Sequence, residues 1–237
     1  MDKMQESPGM STKCKILNLA AADFIVRTAY QMGKTPLLPL FAAGLGVNAT
    51  FLGFIISAST LTGMLLKPLF GMLSDRCGRW IWFFIGTLLF SAVPFFYLWI
   101  ENAHQLIMLR LLHGTATAIY GPVTVAWVIE EGKEEGGIDS NCAERLGWFG
   151  MARSAGYMLG PLLAATLLTV FEPEVVFAAI GVFSSCAFLP VLLLKNRSIP
   201  VNYTKSWKLQ FKDAMRSGFQ TAELWFAGLL EFVVYIG

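Results

Sequence analysis

Two apolar runs constrain this chain more than any other feature: Trp80 to Ile100 and Val175 to Leu194 contain no charged residue. Each has the length of a helix that crosses a bilayer core, about 20 residues. Four further runs reach that length with one to three ionisable residues inside them: Ile16 to Ala43, Thr50 to Phe70, Leu106 to Ile129 and Leu146 to Val170. The chain is therefore predicted to be an all-α membrane protein with six transmembrane helices. A partial seventh begins at Leu224 and is still running at Gly237.

Composition agrees. Of 237 residues, 55% are hydrophobic and 14% charged, and the mean hydropathy is +0.58; soluble domains carry about 25% charged residues. A net charge of +2, without a basic patch, argues against nucleic acid as a partner. The four cysteines (Cys14, Cys77, Cys142, Cys186) and two histidines (His104, His113) are scattered, so neither a disulfide framework nor a metal site is indicated. No cofactor is expected.

Orientation follows from charges not used to find the spans. With a cytoplasmic N-terminus, thirteen of the eighteen Lys and Arg residues fall on the inner side, and the outer loops Gly44 to Asn48, Glu101 to Gln105 and Phe171 to Glu174 hold none. That is the positive-inside pattern, and it predicts a multi-pass protein of the cell membrane. A cleaved signal peptide is not expected, because Asp23 and Arg27 interrupt its would-be apolar segment. The expected organisation is a cytoplasmic tail (1–15), a six-helix half (16–194), a cytoplasmic central loop (195–223) and the start of a seventh helix (224–237). In the central loop, Trp207, Phe211 and Met215 lie beside Lys208, Lys212 and Arg216, all at four-residue spacing. On a helix these form an apolar and a basic stripe suited to an anionic membrane surface; a solvated connector is the alternative.

Motifs then narrow the class. The stretch Gly71-Met72-Leu73-Ser74-Asp75-Arg76-Cys77-Gly78-Arg79-Trp80 lies between the second and third spans. It resembles the G-x-x-x-D-R-x-G-R-R signature of the major facilitator superfamily and departs from it only at Trp80. Read physically, Gly71 and Gly78 permit tight turns and close helix approach, and Asp75 is suited to a helix start and to pairing with an arginine. Leu106 to Gly114, with Arg110 at its centre, is similar to the family's fourth-helix motif, whose arginine is linked to proton coupling. Glu130 and Glu131, with Arg145 opening the next helix, resemble the charge cluster that packs on the Asp75 loop. Gly156, Gly160 and Pro161 match the G-x-x-x-G-P motif associated with antiporters, although Ala164-Ala165 stand where that motif often carries glycines. Small-xxx-small spacing also serves plain helix packing.

The resemblance implies two inverted three-helix repeats and a loop, around Gly71, Asp75, Arg76, Gly78 and Arg79, that steadies one conformation. It also implies a missing C-terminal half, or a second copy in its place, since such transporters have two halves. The run ending at Gly237, with Glu231 embedded in it, reads as a fragment of a longer protein.

Charged residues inside spans are expensive and are functional candidates. Asp23, Arg27, Tyr30 and Lys34 follow offsets of 0, 4, 7 and 11, which fall within about 60° of arc on a helix. They are read as one polar stripe at the midplane and, with Arg110, as the substrate and proton-coupling residues. A plain Asp23–Arg27 salt bridge is the alternative reading. On the fourth helix Arg110, Gly114, Thr117, Gly121 and Thr124 form a small and polar face. Arg110 is either embedded or snorkelling to the outer surface. Lys67 is expected to snorkel, and Arg153 has no assigned role. The embedded charges are mainly positive, which favours an anionic substrate.

The expected function is proton-coupled antiport, exporting a small organic molecule through the lipid bilayer. Proton-coupled uptake of an organic anion or a sugar-like metabolite is the alternative, as is a non-transporting half that needs a partner. An enzyme is not expected. The segment Ala152-Arg153-Ser154-Ala155-Gly156 echoes a serine-nucleophile turn, but it lacks the first glycine and reads as mid-helix.

Overall fold

The computed structural model describes residues 11–133, 141–194, 207–221 and 226. Among the described residues the structure is all-helical. The first span is α1 (Thr12–Met32), a π-helical segment (Gly33–Leu37) and α2 (Leu38–Gly44). The second is α3 (Ala49–Cys77), and the third is α4 (Arg79–Phe96) with a 3-10 turn (Tyr97–Trp99). The fourth and fifth are α5 (Ala103–Lys133) and α6 (Cys142–Leu168), and the sixth is α7 (Pro173–Ser185) with α8 (Phe188–Leu193). Three of these segments are long and apolar enough to cross a membrane: Ala49–Cys77, Arg79–Trp99 and Pro173–Leu193. The other three carry the embedded Asp23, Arg27, Arg110 and Arg153.

Two local expectations are corrected. The first span is not one continuous helix. Pro36 has no N–H to donate, and the residue before a proline avoids the helical region; accordingly Thr35 has φ −145° and ψ 119°. The stripe of regular helical spacing therefore includes Asp23, Arg27 and Tyr30, and Lys34 falls within the distorted segment. The Gly71–Trp80 stretch, likewise, is not a loop with Asp75 at a helix start. α3 continues to Cys77, so Gly71 is inside the helix and Asp75 lies in its last turns, where no free N–H groups are available to a carboxylate. Gly78 alone makes the turn into α4, with φ +88°, a conformation that costs glycine little. Gly71 does serve close packing, facing Pro122 of α5.

α3 packs mainly on α5, α1 on α6, and α4 on both α5 and α7. Exchanging the first three spans with the second three maps the α1–α6 pair onto the α3–α5 pair and leaves α4–α7 unchanged, as expected for two repeats of three. Small residues set the two principal contacts. A Cβ on Gly114 would lie 2.6 Å from the Ser59 carbonyl oxygen of α3, and one on Gly160 would lie 2.8 Å from the Thr28 carbonyl oxygen of α1. Backbones meet directly at both places, the usual way membrane helices gain packing contact.

The core forms two layers along the bundle. Leu19, Val26, Phe83, Phe90, Tyr120 and Trp127 belong to the layer nearer the basic residues Lys15 and Arg79. Leu37, Phe41, Val93, Tyr97, Leu106 and Phe177 form the layer towards the opposite end. The exterior is apolar too: Phe54, Leu65, Trp148, Met158 and Leu189 are all exposed. A water-soluble monomer rarely presents so much apolar surface; a bilayer covers it.

A second unit spans Val201–Gly237 and contains α9 (Trp207–Gln220). Trp207, Lys208, Lys212 and Arg216 are exposed on it and Phe211 is partly buried. The Met215 side chain, and the run from Leu224 with Glu231, lie outside the described residues apart from Phe226.

Candidate functional site

The first polar cluster surrounds Asp23. Its carboxylate is 1% exposed and sits between α1 and α6. Arg153 of α6 donates from Nε to Oδ2 at 2.9 Å and from Nη2 to Oδ1 at 3.2 Å. The same Nη2 reaches the Thr124 hydroxyl of α5 at 3.2 Å, so one guanidinium ties three spans. Arg27 adds a longer bond from Nε to Asp23 Oδ1 at 3.4 Å. Its guanidinium also lies 5.9 Å from the centre of the Tyr120 ring, and Gly121 faces both Arg27 and Lys67. Two cations thus share one buried anion, an arrangement that offsets the cost of holding them away from water.

The second cluster surrounds Arg110. This residue does not snorkel: it is 1% exposed and donates from Nη2 to the Ser59 hydroxyl of α3. Tyr30, Phe90, Tyr97, Arg110 and His113 line one closed cavity of about 10 Å³, near the limit for a single water. His113 is 5% exposed, with the Tyr30 and Phe90 rings edge-on at 5.1 and 5.4 Å. The Lys34 ammonium lies 5.9 Å from the Tyr30 ring centre. The five residues expected to bind substrate or protons therefore divide into two groups, Asp23 with Arg27, and Tyr30 with Arg110 and Lys34.

A third cluster closes the basic end. Arg79 opens α4 and bridges Asp75 of α3, at 2.8 Å, to Glu130 of α5. Its Nε and Nη2 donate to the two oxygens of Glu130. Asp75 thus has an arginine partner, and Glu130 reaches the same guanidinium. Arg76 is half-buried in the last turn of α3. Arg145 stands between the starts of α1 and α6, in a cleft shared with Lys13, Ile16 and Trp148. Beside the Arg79 cluster, Lys15 pairs with the buried Glu131 at 2.6 Å, and Trp127 donates to Glu131 at 3.0 Å.

Gly156 and Gly160, with Pro161 following, lie on the α6 face against Phe24, Thr28 and Gln31 of α1. Ser154 is exposed in mid-helix, with no nucleophile elbow around it. Sequence reasoning missed Ser59, the role of His113 and the Lys15–Glu131 pair, left Arg153 without a role and placed Thr124 only on a small polar face. The embedded position of Arg153 is a usable signal, because a buried cation calls for an anion and Asp23 is the deep acid of the first six spans.

A helical bundle with an apolar exterior and polar clusters in its interior is a multi-pass membrane protein. The sequence profile of the Major Facilitator Superfamily matches residues 20–237, and the chain belongs to that family. It is similar to the multi-drug resistance efflux pump PmrA of Streptococcus pneumoniae, 27% identical over 176 residues that cover 72% of this chain and 43% of the pump. It is also similar to the quinolone resistance protein NorA of Staphylococcus aureus, 24% identical over 159 residues covering 67% of this chain and 39% of that protein. The chain thus spans less than half the length of these curated relatives.

Proposed function

We propose that this chain supplies one half of a proton-coupled exporter of small organic molecules in the cell membrane, with its N-terminus in the cytoplasm. The observation that carries the reading is the buried carboxylate of Asp23 held by Arg153 across the α1–α6 contact. Protonation of Asp23 removes the charge that holds Arg153 and Arg27. That loosens a contact in which one side chain of α6 is tied to both α1 and α5, and so couples proton uptake to movement of α6. The Gly156–Gly160 face gives α1 and α6 a surface on which to slide. The Arg79 bridge at the basic end acts as the matching latch, closing one side while the other opens. Rocking needs a second half to move against, supplied by further chain or by a second copy. The names of the relatives, an efflux pump and a resistance protein, favour export over uptake.

The test is reconstitution in proteoliposomes with an imposed pH gradient, following internal pH while organic cations and anions are added. Substrate-dependent proton flux is expected, from the chain alone if a second copy serves as partner and otherwise with a second half present. Asp23→Asn is expected to abolish proton-driven flux and to leave downhill exchange of substrate. Unchanged proton-driven flux in that variant removes Asp23 from the coupling role. No flux in any assembly of folded protein favours the non-transporting reading.

A further inference from the structure

Among the described residues, the acids Asp23, Glu131 and Glu130 are each committed to a cation: Asp23 to Arg153 and Arg27, Glu131 to Lys15, and Glu130 to Arg79. Arg110 is different. It is buried to the same degree as Asp23, yet among the described residues no carboxylate lies within ion-pair distance of it. Its neighbours are the hydroxyls of Ser59 and Tyr97, and its Nε has no hydrogen-bond partner. One turn along α5, both ring nitrogens of the buried His113 also lack a partner. A buried cation without an anion, beside an imidazole without a hydrogen bond, is a costly arrangement. Both groups line the same cavity, whose remaining walls include Tyr30, Phe90, Tyr97 and Phe177. The Tyr97 and Phe177 rings stack at 3.8 Å.

We infer that the Arg110–His113 cavity is a carboxylate subsite: Arg110 Nε–H and one His113 ring N–H donate to the oxygens of an organic anion, and the surrounding aromatic rings pack its apolar body. A neutral imidazole keeps one N–H donor, so the site needs no change of protonation. Charge-assisted hydrogen bonds of this kind are the strong ones. In the present closed form the cavity admits a single water, and the Tyr30 and Phe90 rings, edge-on to each other at 5.9 Å, form the wall that turns to admit more. The inference rests on the transport reading for the route by which a ligand reaches this depth. It leaves the Asp23 cluster to its separate role.

The experiment is equilibrium binding to the purified 237-residue chain in nanodiscs, by calorimetry, with benzoate, benzamide and benzylamine as probes of nearly equal shape. Benzoate is expected to bind at least about tenfold more tightly than the other two, the discrimination given by one charge-assisted hydrogen bond. His113→Phe, which keeps the ring volume and removes both nitrogens, is expected to weaken benzoate by about tenfold. His113→Gln, which keeps an N–H donor, is expected to stay within about threefold of the parent. Circular dichroism and monodispersity of each variant exclude a folding defect. Equal affinity for benzoate and benzamide, or benzoate binding untouched by His113→Phe, overturns the subsite. Because binding is read without a gradient, the two readings fail separately. Discriminating benzoate binding without flux keeps the subsite and removes transport, whereas proton-driven flux without discrimination does the reverse.

Discussion

Arg153 and Asp23 lie 130 positions apart in the chain and meet through two hydrogen bonds, at 2.9 and 3.2 Å, inside the bundle. Asp23 retains only the 3.4 Å bond from Arg27 when Arg153 is removed. Arg153→Met is therefore expected to destabilise the folded chain by about 3–5 kcal/mol, the usual result of removing one partner of a buried pair. The double variant Asp23→Asn/Arg153→Met is expected to be less destabilised than the sum of the two single changes. Thermal unfolding in detergent of all four proteins closes the cycle, and additive losses would show that the pair is not coupled.

At Gly114 the added methyl of an alanine meets the Ser59 carbonyl oxygen at 2.6 Å and the Thr62 side chain at 2.7 Å. Backbone cannot swing aside as a side chain can, so Gly114→Ala is expected to cost about 1–3 kcal/mol through overpacking. Gly53, on the same helix as Ser59, has nothing within 4 Å of an added Cβ. Gly53→Ala is expected to be neutral or to stabilise by up to about 1 kcal/mol, the difference in helix propensity. Melting temperatures of the two alanine variants check the contrast.

Arg79 gives Glu130 two hydrogen bonds and Asp75 one ion pair. Glu130 and Asp75 remain partly exposed, which limits each contact to about 1 kcal/mol of stability. Asp75→Ala and Glu130→Gln are therefore expected to leave the amount of protein in the membrane nearly unchanged. Transport is expected to fall several-fold, more for Glu130→Gln, because it removes the bidentate partner that spans α4 and α5. Flux per unit of inserted protein is the quantity to compare, and equal flux in parent and variants would deny the latch its role.

Lys15 holds Glu131, which is 2% exposed, at 2.6 Å. Lys15→Met leaves the Trp127 indole as the hydrogen-bond donor to that carboxylate, at an expected cost of about 3 kcal/mol. Glu131→Gln in the same background relieves the unpaired charge and is expected to recover part of the loss. Unfolding midpoints of the single and double variants decide it, and a double variant no more stable than Lys15→Met would place the loss elsewhere.

Much of this architecture is written locally. The length of the apolar runs and the short polar breaks between them define where helices lie, because a bilayer admits few other solutions for an apolar backbone. The short outer connections around Gly46, Asn102 and Glu172 follow, as does the α9 helix on its four-residue spacing. Two departures from regular spans also have local signals. Gly33 and Pro36 bracket the place where the first span loses its regular helix. Gly71 to Cys77 contains no residue that stops a helix, so α3 runs on until Gly78.

The sequence by itself determined the membrane class, the positions of the spans and the glycine-rich contact faces, since each depends on neighbours within a few residues. Only the tertiary structure decided which charge meets which. Helical spacing places Asp23 and Arg27 on one face, but no periodicity shows that Arg153 of another helix takes the larger share of that carboxylate. In the same way a lone histidine in an apolar run says little until Arg110, Tyr30 and Phe90 are seen around it. Partners on different helices are chosen by packing angle and depth, quantities that belong to the assembled bundle and to no single stretch of chain.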